Sequence, residues 1–556
     1  MSPLFRRHRD NTDTDNALKK ALRSKPWGFW GISIHGYLLQ QAKLSRDEKF
    51  DSCITLPDKE QNEEHRRWSP GAIDGNFGHL EGMGPELRAE TVLSSLRLML
   101  NHPSQQQLKQ FYATVLANPA LLMIDELVPL IVNSQLPPHQ VLRIGHWLAT
   151  EAPDREPVKT GITLIGLFQK PELADLIAFL GRHEEFTLFS SIALQRMLDE
   201  PDEHLWELAK DVGRWGRIQV VKRLQNTSNP TIKDWILREG YKNCVFNESL
   251  AYISATTGGL LDALRSNDPD DELLVSAGDI LAALINAITW PDNSIFDYQD
   301  APHATLRYAK QCKNRQLTIG QLISFIAIRS FVDSGKHEAK KIDNGWTSEI
   351  CNEIFNISQS IIERKSWPMI ITAAIEDNIN IKGSIEFHIA AKAAKEMDID
   401  IWKYYLHRHK KGVDSHWQEM MQTNNSDYIS EVISLAEKTL PIDKIQKHNF
   451  SFLSQKQVNS IIEDINMLAQ ELRNFPGMGW NILKVSLRGP SQRGRYMTIH
   501  ALRHWGRKNW PNDAIEVLME AHRKESDFDI AWCIQELLSP PNDEADNPDY
   551  PENWLP

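Results

Sequence analysis

The stretch Gly489-Pro-Ser-Gln-Arg-Gly-Arg-Tyr-Met-Thr-Ile-His-Ala-Leu-Arg-His-Trp505 decides how this chain is read. A tight turn leads into a helix with Arg493 near its start, and Tyr496, Ile499, Ala501, Leu502 and Trp505 give that helix one packing face. Gly181-Arg-His-Glu-Glu-Phe-Thr-Leu-Phe-Ser-Ser-Ile-Ala-Leu-Gln-Arg-Met-Leu198 has the same form, a turn followed by an apolar helix. Outward from these two, helix-sized apolar segments broken by Pro, Gly or Asp continue from about Pro85 to Pro540, with hardly a strand-like stretch.

The punctuation supports helix pairs. Pro85 to Leu100 stops at Asn101-His-Pro-Ser104, where Ser104 can accept from the free amides of the next helix and Gln107 follows three residues later. Leu121–Val132, His139–Thr150, Val158–Phe168, Leu173–Leu180 and Phe186–Leu198 follow, joined by short links that favour antiparallel neighbours. A helix apolar on one stripe cannot bury itself in a lone pair, and stacking pairs supplies the missing partner. The expected fold is therefore all-α, an α-solenoid of stacked antiparallel helix pairs. The sequence resembles HEAT and armadillo-type solenoids, bacterial HEAT-like proteins among them, with irregular periods near ~40 residues.

Five regions are expected. Residues 1–26 read as a flexible basic tail in which Ala17–Leu22 could form a turn or two of helix. Residues 27–84 read as a small irregular cap, where Trp27–His35 and Phe50–Leu56 look like short strands. Two helical arrays, 85–300 and 301–540, meet at the looser stretch Trp290–Pro302, and residues 541–556 form an acidic tail.

Composition narrows the function. The chain has 556 residues, far more than one ordinary domain, with 41% hydrophobic and 24% charged residues, as in a folded soluble protein. A net charge of −12 argues against general nucleic-acid binding and favours a basic protein as partner. Cys53, Cys244, Cys312, Cys351 and Cys533 are widely spaced and form no CxxC pair, which points to reduced thiols in the cytoplasm and away from a cysteine-built metal site. No stretch reaches the roughly 18–20 uncharged apolar residues of a membrane span, so no membrane association is expected. No HExxH, GxxxxGK[ST], GxSxG or Cys-His cluster is present, and neither metal nor cofactor is expected.

Three constellations could carry function. Asp74 and His79, in the loop Asp74-Gly-Asn-Phe-Gly-His79, could serve as base or ligand, although Asp-Gly turn chemistry with Trp68 and Phe77 as anchors accounts for the same residues. Glu151, Asp154, Glu156, Glu184 and Glu185 fall at helix junctions and could form an acidic edge for a basic partner; helix dipoles also favour acids there. Lys484, Arg488, Arg493, Arg495, Arg503, Arg507 and Lys508, interleaved with Trp480, Tyr496, Trp505 and Trp510, could bind nucleic acid, or could serve the packing of the array.

The reading that follows is a non-enzymatic solenoid that holds a protein partner on its concave face or acidic ridge. A bacterial inhibitor or immunity-type protein that occludes its partner fits this class. The alternatives are an enzyme with its site at Asp74 and His79, and a nucleic-acid binder using residues 484–508.

Overall fold

The computed structural model describes residues 12–27, 31–44, 51–58, 84–245, 247–289, 293–442 and 455–539. Among these residues every regular element is a helix. The chain divides into two compact units, Met1–Arg364 and Lys365–Pro556.

In the first unit the helices are α1 (Thr12–Ala21), α2 (Ile34–Leu44), α3 (Pro85–Asn101), α4 (Gln105–Ala117), α5 (Ile124–Asn133), α6 (Pro138–Glu151), α7 (Arg155–Ile165), α8 (Ala174–Gly181), α9 (Glu184–Met197) and α10 (Asp202–Asp211). They continue as α11 (Arg214–Arg223), α12 (Pro230–Trp235), α13 (Glu248–Thr256), α14 (Leu260–Leu264), α15 (Asp271–Asn286), α16 (Ala301–Cys312), α17 (Ile319–Asp333), α18 (Glu338–Asp343) and α19 (Ser348–Ile362). The second unit holds α20 (Trp367–Asp377), α21 (Ile385–Glu396), α22 (Trp402–Lys410), α23 (Trp417–Met421), α24 (Ser426–Thr439), α25 (Gln455–Leu472), α26 (Trp480–Arg488), α27 (Gln492–Trp505), α28 (Ala514–Lys524) and α29 (Phe528–Leu538).

Local chemistry sets many of the starts. Ser104, Asp270, Thr347, Ser384 and Ser491 each accept a backbone N–H of the first turn that follows, and Thr318 with Gln321 forms a full capping box. Pro85, Pro138 and Pro230 occupy first-turn positions, where a missing N–H costs nothing.

Packing follows a simple rule in each unit. In the first, α7, α9, α11, α13, α15, α17 and α19 form a ladder in which each member touches the next, while α6, α8, α10, α14 and α16 flank it. Ladder helices are enclosed by neighbours: in α7, every residue from Pro157 to Ile165 is buried. In the second unit α23, α25, α27 and α29 repeat the arrangement around Leu468, Leu472, Leu483, Leu502, Trp505 and Leu518. Burying one such leucine contributes about 1.5–3 kcal/mol, so the ladder faces dominate stability. Glycine permits the closest crossing: a Cβ on Gly161 would stand 2.6 Å from Ala149 N and 2.7 Å from Gly145 O, and the missing side chain lets α7 lie directly on α6.

Three expectations change. The strand expected at Trp27–His35 gives way to α2 from Ile34 onward, because Ile34 and Leu38, one helical turn apart, are both fully buried and α2 packs on α6. The described part of Phe50–Leu56 is extended or turned without pairing into a sheet. The two units part at Arg364, not at Trp290–Pro302, where Ile295 and Tyr298 are buried and Ile295 N donates to Leu284 O. The basic tail contains α1, which buries Leu18 and Ala21 and pairs Asp15 with Arg143 and His139 of α6. Asp74, His79 and the acidic tail lie outside the described residues. Among the described residues one helix, Asp271–Thr289, is long and apolar enough to cross a membrane by length and composition alone; it is also a member of the buried ladder.

Candidate functional site

The acids expected to line an edge meet at the N-terminal ends of α7 and α9, where the short links after α6 and α8 bring consecutive ladder helices to the same side. Residues 51–58 lie across these ends. Arg155, the first residue of α7, donates to Asp58 from its backbone N, Nε and Nη2 at 3.1, 2.7 and 2.9 Å. Glu184 N, at the start of α9, donates to Ser52 O at 2.9 Å. The Glu184 carboxylate accepts in turn from Ser52 Oγ and Cys53 Sγ, both at 3.1 Å. His183 caps α9 by accepting Glu185 N–H at Nδ1, so its Nε2 carries the proton and donates to Ile54 O at 2.8 Å.

Beneath this layer lies buried Lys159, whose Nζ donates to Glu156 Oε1 at 3.1 Å and Glu185 Oε1 at 2.7 Å. Burial pushes the Glu185 carboxyl up, but Lys159 and Arg155 outweigh it and hold it at about 2. Glu184 is shifted the other way, upward, because burial is the largest influence on it. The Cys53 thiol is pushed up to about 12 by burial and by the Glu184 carboxylate, so it serves as a hydrogen-bond donor and not as a thiolate nucleophile. Burial lowers His183, which keeps its ring neutral with both nitrogens in use. Arg214 opens α11 beside this cluster with φ of 44°, a left-handed backbone that a non-glycine residue adopts only under strain.

Four of the five edge acids are thus drawn inward. Asp154 accepts from Tyr112 OH at 2.6 Å and Glu156 accepts from Ala120 N at 2.7 Å, while Glu184 and Glu185 bond as described above. Glu151 stands exposed at the end of α6. The structure also brings in residues that the sequence reading passed over: Ser52, Cys53, Asp58, Arg155 and Lys159. A lysine in the otherwise apolar run of α7 was the available signal, since a buried ammonium requires a carboxylate nearby.

The cationic window is matched by acids on the neighbouring helices. Lys484 meets Asp513 at 3.3 Å, Arg488 meets Glu520 at 2.6 Å, Arg493 meets Glu463 at 3.6 Å, Arg495 meets Glu525 at 2.8 Å, and Arg503 meets Glu536 at 3.2 Å. Arg507 donates to the carbonyls of Leu537 and Ser539, at the end of α29, and Lys508 is exposed. Trp480 Nε1 donates to Asp513 and Trp505 Nε1 to Leu472 O, which uses these rings in packing. Among the described residues no group of His, Cys, Asp and Glu is placed to hold a metal ion. No family model matches the chain, and comparison with curated proteins gives no match.

Proposed function

We propose that this chain is a non-enzymatic α-solenoid that holds a protein partner. The observation that carries the reading is the ladder from α7 to α19, in which each helix touches the next and is flanked by its sequence neighbours. A stacked array of this kind offers a long series of loops and helix ends to a partner. The titratable groups gathered there favour this reading over chemistry, because His183, Lys159 and Cys53 are already engaged in internal hydrogen bonds. A bacterial inhibitor or immunity-type protein that occludes its partner is the narrower form of the proposal. The preference for a basic partner now rests on the net charge of −12, since only Glu151 of the five edge acids is left exposed. A cytoplasmic location belongs to the same reading and agrees with five cysteines that form no disulfide.

The test is affinity capture of the tagged full chain from its native cells after nuclease treatment, followed by reconstitution with the purified protein recovered. A stoichiometric complex that protects ladder-edge amides from hydrogen exchange is expected. A recovered protein that the chain turns over as substrate, or that protects no helix end, would overturn the proposal.

A further inference from the structure

We infer that residues 51–58 form an exchangeable strap, seated in cis in a groove that receives an acidic segment of the otherwise basic protein partner. This rests on the protein-binding reading above. The groove has three walls: the start of α7 with the Arg155 fork, the start of α9 with His183 and Glu184, and Tyr37 of α2, whose hydroxyl donates to Thr55 O at 3.0 Å.

The groove recognises main chain and side chains together, since the Glu184 carboxylate also accepts from Ser52 Oγ and Cys53 Sγ. It takes the carbonyl of Ser52, within a turn closed by Ile54 N on Asp51 O at 3.3 Å, and then those of Ile54 and Thr55. One carboxylate, that of Asp58, lies in the Arg155 fork, and a bidentate guanidinium grip selects for an acid in that place. Leu56 is the only residue of the strap that is buried, whereas Asp51, Thr55 and Pro57 are exposed. The strap therefore adds little to the hydrophobic core, and its polar links can be supplied by another chain with the pattern Leu-x-Asp. By contrast, α7 and α9 beneath it are buried along most of their length. Segments of this kind, held by hydrogen bonds at the edge of a packed body, open without global unfolding.

Two amides report the strap directly, because Arg155 N bonds to Asp58 and Glu184 N bonds to Ser52 O. In native-state hydrogen exchange of the full chain both should exchange at least about 100-fold faster than the amide of Leu194 within α9. The second measurement uses the full chain carrying Asp58→Ala and a labelled peptide of residues 51–58 with serine in place of Cys53. The peptide should bind this variant at least about tenfold more tightly than it binds the unaltered chain, and changing the peptide's own Asp58 to Asn should remove that gain. Equal exchange rates at the three amides, equal peptide binding to both chains, or an Asp58→Ala chain that fails to fold would each overturn the strap. None of these results depends on a partner, so a failed capture experiment strikes the functional reading and not this measurement.

Discussion

Lys159 of α7 and Glu185 of α9 meet at 2.7 Å, with side chains only 4% and 13% exposed, and so join two successive ladder helices through a charged pair. Removing two charges from water costs several kcal/mol per ion, and the pair offsets this only while both members are present. Glu156 adds a third group at 3.1 Å, so the ammonium sits between carboxylates from its own helix and from the next.

The first prediction follows from that arrangement. Lys159→Met alone should lower stability by about 3–5 kcal/mol, because Glu185 is left charged and buried. Adding Glu185→Gln should restore more than half of the loss, since an uncharged neighbour needs no ammonium. Urea denaturation of the single and double variants measures the difference, read on the transition of the first unit because a chain with two units need not unfold in one step. A double variant that is as unstable as the sum of the separate changes would show that the two residues do not act as a pair.

The second prediction concerns acid. The folded state holds Glu185 at about 2, below the ordinary glutamate value of 4.5, so its contribution is fully present above pH 4.5 and is lost as the pH falls from about 4.5 toward about 2. Glu184 has the opposite sign: burial raises its folded pKa, so its charged form opposes folding at neutral pH and that opposition eases on acidification. Denaturation midpoints measured between pH 2 and 7 should therefore change less steeply in Glu185→Gln and more steeply in Glu184→Gln than in the unaltered chain.

These residues also show where the sequence was legible and where it was not. The turn at Asn101–Ser104 was readable because a cap is a local event: Ser104 Oγ accepts from Gln107 N at 3.2 Å, two groups three residues apart. The apolar helices were readable because burial repeats every three to four residues along a single element. The strand expected at Trp27–His35 failed since β-branched and aromatic residues describe a preference, whereas the spacing of buried Ile34 and Leu38 reflects a partner, α6, more than a hundred residues away. The direction of the edge acids was hidden for the same reason. Glu184 bonds Ser52 across a separation of 132 residues, and nothing in the neighbourhood of either predicts the other.

A third prediction concerns the second unit, where fully buried Arg408 plays a role that the sequence did not announce. Its guanidinium donates to Asn378 O, Ile379 O and Ile381 O at 2.7, 3.0 and 3.0 Å, to His416 Nε2 at 3.1 Å and to Asp414, while lying over the Phe387 ring at 4.0 Å. It thus ties together carbonyls of the link that follows α20, two of which, Asn378 O and Ile381 O, also accept from Ile381 N and Ser384 N. Arg408→Lys keeps the charge but has neither the planar fork nor enough donors, and each buried carbonyl left unpaired costs about 1–3 kcal/mol. A loss of at least about 3 kcal/mol is expected in the transition of the second unit, with the first unit unaffected. A lysine variant that unfolds at the same denaturant concentration as the parent would remove Arg408 from this role.

The last prediction separates architecture from nucleic-acid binding in the 484–508 window. If the cations serve packing, their worth should follow burial, not position along a groove. Arg495 and Glu525 are 16% and 5% exposed, and Arg495 also donates to Gly489 O at 3.1 Å, so Arg495→Ala should cost about 2–4 kcal/mol. Arg503 and Glu536 are 43% and 45% exposed, and Arg503→Ala should change stability by no more than about 1 kcal/mol. A nucleic-acid interface makes a different demand: both substitutions would weaken binding of a single-stranded oligonucleotide, and the affinity would fall steeply with salt as phosphate-bound cations are released. Fluorescence anisotropy with a labelled 30-mer from 50 to 200 mM salt, run beside denaturation of the same variants, distinguishes the two. The expected result is a graded loss of stability with no salt-dependent binding, because the acids of α28 and α29 already occupy the places that phosphates would take.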